Sequence, residues 1–178
     1  SLELGSGLQG TAFLLSNNRV VKITCDESEY HICSELVGKT VKHVYYIDAT
    51  YRLLVDGQEF YAIVEERLDT SDTKKLKEFE EEYNFDKKCR LYISGDIDEL
   101  NLDEAVDKIK SKSPQYSFYV DQYLAMMRAT LRIGITNSDM HYNNIGRKGD
   151  HLVVFDLGFS DSETTAEGTT IEINLDQF

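Results

Sequence analysis

The sequence has little of what staples a secreted domain together. Its three cysteines, Cys25, Cys33 and Cys89, are odd in number and show no CxxC spacing. That excludes a disulfide framework or a zinc ribbon and points to a reducing compartment. The four histidines, His31, His43, His141 and His151, stand at no metal-ligand spacing with those cysteines. Proline occurs once and tryptophan not at all. No apolar run approaches membrane-spanning length and no charged-then-apolar leader is present, so a cytoplasmic domain without a membrane anchor is expected. Basic charge is scarce: 19 Lys and Arg face 32 Asp and Glu, a formal net charge of −13. Phosphate backbones and anionic membranes need clustered Lys and Arg, so neither is an expected partner, although one nucleotide in a local pocket is compatible with this charge.

What is there suffices for one folded domain: 178 residues, 41% of them hydrophobic and 11% aromatic. The first residue is not methionine, which leaves room for an upstream segment that has been removed. Residues 2–15 read as a strand, a glycine-rich turn and a second strand, and Arg19 to Thr24 as a third. Asp26 or Ser28 can cap a helix that runs to about Val37 and ends at Gly38. Strands are expected at 44–49, 51–55 and 60–68, the last after an Asp56-Gly57 turn. Residues 69–113 turn polar, with helices at 74–83 and 101–111, and Glu80-Glu81-Glu82 reads as a solvated face. Tyr116 to Ile133 has helical apolar spacing, with Met126 and Met127 as core filler. A turn-rich stretch, 136–149, precedes a strand at 151–155. The order defines an α+β layout, β-rich in front and α-rich behind.

Three constellations could carry chemistry. Gly5-x-Gly7-x-x-Gly10 can bring backbone amides to phosphate oxygens without Cβ clashes. A dinucleotide site would open a helix at the third glycine. Here Thr11 to Leu15 continues as strand, so a hairpin flap fits better. Lys22, inside Val20-Val21-Lys22-Ile23, is either on a solvent face or paired with an anion, because a bare buried ammonium is costly. In the helix that follows, Glu29 falls within the stripe of Ile32, Cys33, Leu36 and Val37. It is therefore the expected partner, with Glu35 as the fallback. The third constellation is Asp139-Met140-His141-Tyr142-Asn143-Asn144, followed by Asp156-Leu157-Gly158 at the end of an apolar strand. One carboxylate to orient a hydroxyl, with an amide and a second carboxylate for Mg²⁺, is the inventory of phosphoryl transfer.

On these residues the chain resembles the protein-kinase-like superfamily. Gly5 to Gly10 looks like the glycine-rich loop, Val21-Lys22 like the third-strand lysine, and Ala62 to Leu68 like the strand entering the adenine hinge. Asp139 to Asn144 looks like the catalytic loop, and Asp156-Leu157-Gly158 like the metal-binding triplet. Within the superfamily it is most similar to the short serine/threonine kinases of lytic bacteriophages. The resemblance covers residues 2 to about 161. It implies a minimal bilobal kinase-like fold: an antiparallel β N-lobe with one helix at 1–68, a polar helical insert at 69–113, and a reduced, mostly helical C-lobe at 114–178. It further implies ATP and Mg²⁺ as cofactors, Asp139 as catalytic base, and Asn144 and Asp156 as metal ligands. Lys22 with Glu29 would be the phosphate-positioning pair, Gly5, Gly7 and Gly10 the flap, and backbone near Glu66 and Arg67 the adenine contact. Ser/Thr hydroxyls of host proteins, basic ones among them, would be the substrates, with autophosphorylation possible in the Ser/Thr-rich stretch 160–170.

The chain also departs from the family pattern. Asn137 stands two before Asp139 where histidine is usual, no arginine precedes Asp139, and only twenty residues follow Gly158, without Ala-Pro-Glu. Substrate docking on the acidic stretch 69–113, or a domain that is a fragment, would account for the shortness. His141 reads equally as a loop organiser or as an exposed loop histidine. Two alternatives carry weight: a small-molecule phosphotransferase of the aminoglycoside or choline type, and a catalytically silent binding module for a basic protein.

Overall fold

Strands β1 (Leu2–Gly7), β2 (Gly10–Leu14), β3 (Arg19–Thr24), β4 (Ile47–Val55) and β5 (Gln58–Glu66) form one antiparallel sheet in the order β1-β2-β3-β5-β4. The computed structural model describes residues 2–7 as backbone, and residues 10–136, 139–157 and 178 in full. Asn137, Gly158 and the stretch 160–170, all singled out in the sequence, lie outside the described residues. The chain divides into two compact units. One comprises the described residues of 1–40, 45–67 and 157–178, and the other comprises 41–44 and those of 68–156.

In the first unit the glycine-rich stretch is a hairpin, with Gly7 paired to Gly10 and Ser6 to Thr11. Gly10 has φ +145°, and a Cβ there would stand 2.2 Å from the Ile23 carbonyl oxygen, so only glycine lets β2 lie this close to β3. Where the sequence suggests two short strands, β4 is one strand of nine residues. The expected gap at Thr50 is absent, since Thr50 pairs with Ile63; the register slip lies earlier, between Ile47 and Ala49, beside Asp48, which pairs with Arg19. Asp56 and Gly57 both have positive φ, 51° and 79°, the backbone of a two-residue hairpin turn. Val21, Ile23, Phe60, Ala62 and Val64 build a core on one sheet face, with Phe178 packed against it. Helix α1 (Glu27–Leu36) covers the other face with Glu29, Cys33 and Leu36, a spacing of one helical turn.

The second unit holds helices α2 (Thr73–Tyr83), α3 (Phe85–Ser94), α4 (Glu99–Lys112) and α5 (Ser117–Arg132), and the hairpin β6 (Ile145–Lys148)–β7 (His151–Val154). Helix α4 begins earlier than expected, because Asp98 caps it through the Asn101 amide. Helix α3 was not anticipated: one left-handed residue, Asn84 at φ 48°, is all that separates it from α2. Phe79 anchors this core against the rings of Phe85, Tyr116, Tyr119 and Tyr123, and Met126 and Met127 fill it.

A clamp ties β6 to the helices. Arg147 donates to both oxygens of Asp72, from Nε at 2.6 Å and Nη2 at 3.1 Å, and lies over the Phe118 ring. Tyr119 donates to the same carboxylate. The paired guanidinium holds the Asp72 carboxyl below its ordinary range. On the far side of the hairpin, Val44 bridges Val154, and the His43 ring meets the Leu152 carbonyl at 2.9 Å. A Cβ at Gly146 would stand 2.5 Å from the Leu68 Cβ. Gly146→Ala is therefore expected to cost about 1–3 kcal/mol by overpacking, read as a lower urea midpoint; an unchanged midpoint would contradict this packing.

Candidate functional site

In the first unit, β3 lies between two strands and is buried along five of its six residues, its one lysine among them. Lys22 is 6% exposed and Glu29 is fully buried. Lys22 Nζ donates to both carboxylate oxygens of Glu29, at 2.8 and 3.0 Å. The helix register makes this pairing: Asp26 caps α1 by accepting from the amides of Ser28 and Glu29, which sets Glu29 inward in the first turn. Glu35, the fallback partner, is exposed.

Sequence reasoning missed the pair's neighbours. Glu65 on β5, 6% exposed, shares the sheet face of Lys22, since Val20 pairs with Glu65 and Lys22 with Ile63. The signal was available, because Glu65 follows the apolar run Phe60–Val64 in phase with Tyr61 and Ile63. Cys33, one turn beyond Glu29, hydrogen-bonds the Tyr45 hydroxyl at 3.0 Å. Burial, with the Glu29 charge adding to it, drives its thiol far above the ordinary range and keeps it inert.

Glu66 and Arg67, the residues expected beside the adenine, both have partners within the first unit. The Glu66 amide donates to the Tyr46 carbonyl at 3.0 Å, and the Glu66 carboxylate accepts the Tyr46 amide at 2.8 Å. Glu66 thus splices β5 to the chain entering β4. The Arg67 guanidinium donates to Asn18.

In the second unit, Asp139, His141 and Asn144 organise one another. The His141 amide donates to Asp139 Oδ1 at 3.2 Å, and its ring Nδ1 accepts from the Asn143 amide at 3.3 Å. Asn144 donates its amide to the His141 carbonyl and its side-chain Nδ2 to the Asp139 carbonyl. His141 is therefore a loop organiser, in the tautomer with Nδ1 unprotonated. Met140, fully buried, pins this loop to the core, while Asp139 faces solvent. The Phe155 amide donates to the Asn144 carbonyl at 2.9 Å, which ties Asn144 to the segment bearing Asp156. Asp156 has φ 56°, a left-handed turn immediately after buried β7.

This donor set suits a hard cation. With Asn144 Nδ2 committed to the Asp139 carbonyl, its Oδ1 is left as an oxygen donor, and Asp156 adds a carboxylate. Among the described residues no cluster of three or more His, Cys, Asp or Glu could hold a metal alone. Mg²⁺, which keeps waters and takes few protein ligands, is the ion such a pair fits. No family model matches the chain, and no curated protein shows a significant sequence match to it. Among the described residues no helix is long and apolar enough to cross a membrane.

Removing one member of a buried ion pair strands the other. Glu29→Ala is expected to cost about 3–5 kcal/mol, and the double replacement Lys22→Met with Glu29→Leu to recover most of that loss. Urea unfolding of the three proteins checks this; a Glu29→Ala protein as stable as wild type would contradict the pairing.

Proposed function

We propose that this protein is an ATP- and Mg²⁺-dependent phosphotransferase of the protein-kinase-like type, acting on Ser/Thr hydroxyls of protein substrates. The observation that carries the reading is the buried two-pronged contact of Lys22 with Glu29 on the strand next to the glycine hairpin. A fold that needed only a core would place an apolar residue there, whereas a phosphate-positioning lysine needs a carboxylate to hold it. The α+β order of a five-stranded sheet with one helix, then four helices and a small hairpin, is compatible with a minimal bilobal kinase-like fold.

In this reading the amides of the Gly5–Gly10 hairpin and Lys22 hold the phosphates, and Glu29 fixes the lysine head. Asn144 and Asp156 hold Mg²⁺, which when bound offsets phosphate charge. Asp139 orients the acceptor hydroxyl and takes its proton, with His141 and Asn144 keeping the loop in shape. The net charge of −13 favours basic protein substrates, and the resemblance to phage kinases makes host proteins the first candidates.

The test is transfer of labelled γ-phosphate from Mg-ATP to the protein itself, to basic protein acceptors and to a bacterial lysate. Wild type is expected to label protein. Asp139→Ala and Asp156→Asn should each lower the rate by about 10²-fold or more, the scale of a lost general base or metal ligand. Robust labelling that survives both substitutions would overturn the reading.

A further inference from the structure

Two histidines far apart in the sequence, His43 and His151, meet in the second unit. Their ring centroids are 5.2 Å apart, at an interplanar angle of 76°. His43 precedes Val44, which bridges Val154, and His151 opens β7. Both residues are half-buried, with 21% of the His151 side chain exposed. Neither has a part in the phosphotransferase reading.

Each ring is held by its Nδ1. That of His43 meets the Leu152 carbonyl at 2.9 Å, and that of His151 meets the Asp150 carboxylate at 3.1 Å. A carbonyl and a carboxylate only accept, so in both neutral rings the proton sits on Nδ1 and the lone pair on Nε2. Among the described residues, Nε2 of neither ring is engaged in a hydrogen bond. An imidazole tied through its N–H to a carbonyl or carboxylate, with its other nitrogen open, is the arrangement of a metal-ligating histidine.

We propose that His43 and His151 form a binding site for a divalent transition-metal ion of the Zn²⁺ or Cu²⁺ type, ligated by Nε2 of both rings. Two imidazoles on one tetrahedral ion, with metal–nitrogen bonds of about 2.0–2.1 Å, place their centroids about 5 Å apart. The observed 5.2 Å matches that spacing. The planes of such ligands turn independently about their metal–nitrogen bonds, so the steep mutual tilt is compatible with it. Imidazole suits these ions, whereas Mg²⁺ prefers oxygen, so this pair and the Asn144 and Asp156 donors select different metals.

The backbone fixes both rings in place. His43 has φ 72°, a left-handed conformation uncommon outside glycine. The Val154 amide holds it there, donating to the His43 carbonyl at 2.9 Å. The Leu152 amide donates to Gln122 Oε1 at 2.8 Å, and His151 pairs with Lys148 in the hairpin. Burial, with the charges of His151, Lys42 and Arg132, holds the His43 imidazole below its ordinary range, so it is free of a competing proton at neutral pH. Lys42 and Arg132 resist a metal ion as well, while the Asp150 carboxylate favours it. Among the described residues no third His, Cys, Asp or Glu completes a metal cluster, so water or a small ligand fills the remaining positions.

Calorimetric titration of Zn²⁺ into the protein, with excess Mg²⁺ present to occupy oxygen donors, tests the pair without requiring activity. One site is expected that depends on both rings. His43→Asn, which suits the left-handed backbone, and His151→Gln should each weaken that site by about 100-fold or more, and Asp150→Ala, which removes only an outer partner, by about tenfold. His31→Gln, at an exposed histidine of α1, should leave it unchanged. Wild type loaded with Cu²⁺ supplies an arm that needs no variant to fold: its electron paramagnetic resonance should show coupling to two imidazole nitrogens. No Zn²⁺ binding by wild type, binding kept in His151→Gln or lost in His31→Gln, or coupling to a single nitrogen would overturn the proposal.

Discussion

An ammonium inside a sheet must be met by a carboxylate, and in the first unit this requirement fixes the geometry around it. Lys22 lies on a strand with neighbours on both sides and is nearly buried. Glu29 has to arrive at one place, so α1 must start at one place, and the Asp26 cap sets that start through the amides of Ser28 and Glu29. Cys33 and Leu36 then fall inward at helical spacing and carry the apolar packing. The pair contributes little net stability compared with an apolar core of the same volume. It determines where a charge can be presented.

The second unit solves a different problem, the holding of an exposed loop in one shape. Backbone bonds do most of it. His141 and Asn144 draw 139–144 into a single turn, Phe155 ties Asn144 to the Asp156 segment, and Met140 fills the core below. The Arg147–Asp72 clamp and the Val44–Val154 bridge secure the two strands of the hairpin on which these residues sit. Strand β6 follows Asn144 directly and β7 leads toward Asp156, so this short hairpin connects the two residues.

Much of this was legible in the sequence, and the failures have physical causes. Glu29 could be preferred to Glu35 because a helix has one apolar stripe and only one of them lies in it. The glycine pattern could be read as a hairpin because strand residues follow it. The continuity of β4 was hidden because polar Thr50 interrupts the apolar stretches, although it pairs with Ile63 like its neighbours. Helix α3 was hidden because only Phe85, Asp86 and Cys89 are buried along its ten residues, too few for a clear period. β6 was missed because Gly146 and Arg147 look like loop residues, whereas Gly146 is there to admit Leu68 and Arg147 to reach Asp72. Glu80 was misjudged as part of a solvated face. Charge in a sequence suggests solvent, and only packing shows which carboxylates have been drawn inside or taken by a backbone amide.

The proposed phosphotransferase reading requires that the protein bind ATP with Mg²⁺ and that Lys22 contribute to that binding. Calorimetric titration of ATP into the purified chain, with Mg²⁺ and with chelator, addresses it without requiring a substrate. Saturable binding that weakens on chelation, and that is lost in a Lys22→Met protein whose circular dichroism matches wild type, is the predicted result. No binding by wild type, or equal affinity with and without Mg²⁺ and in Lys22→Met, would contradict it.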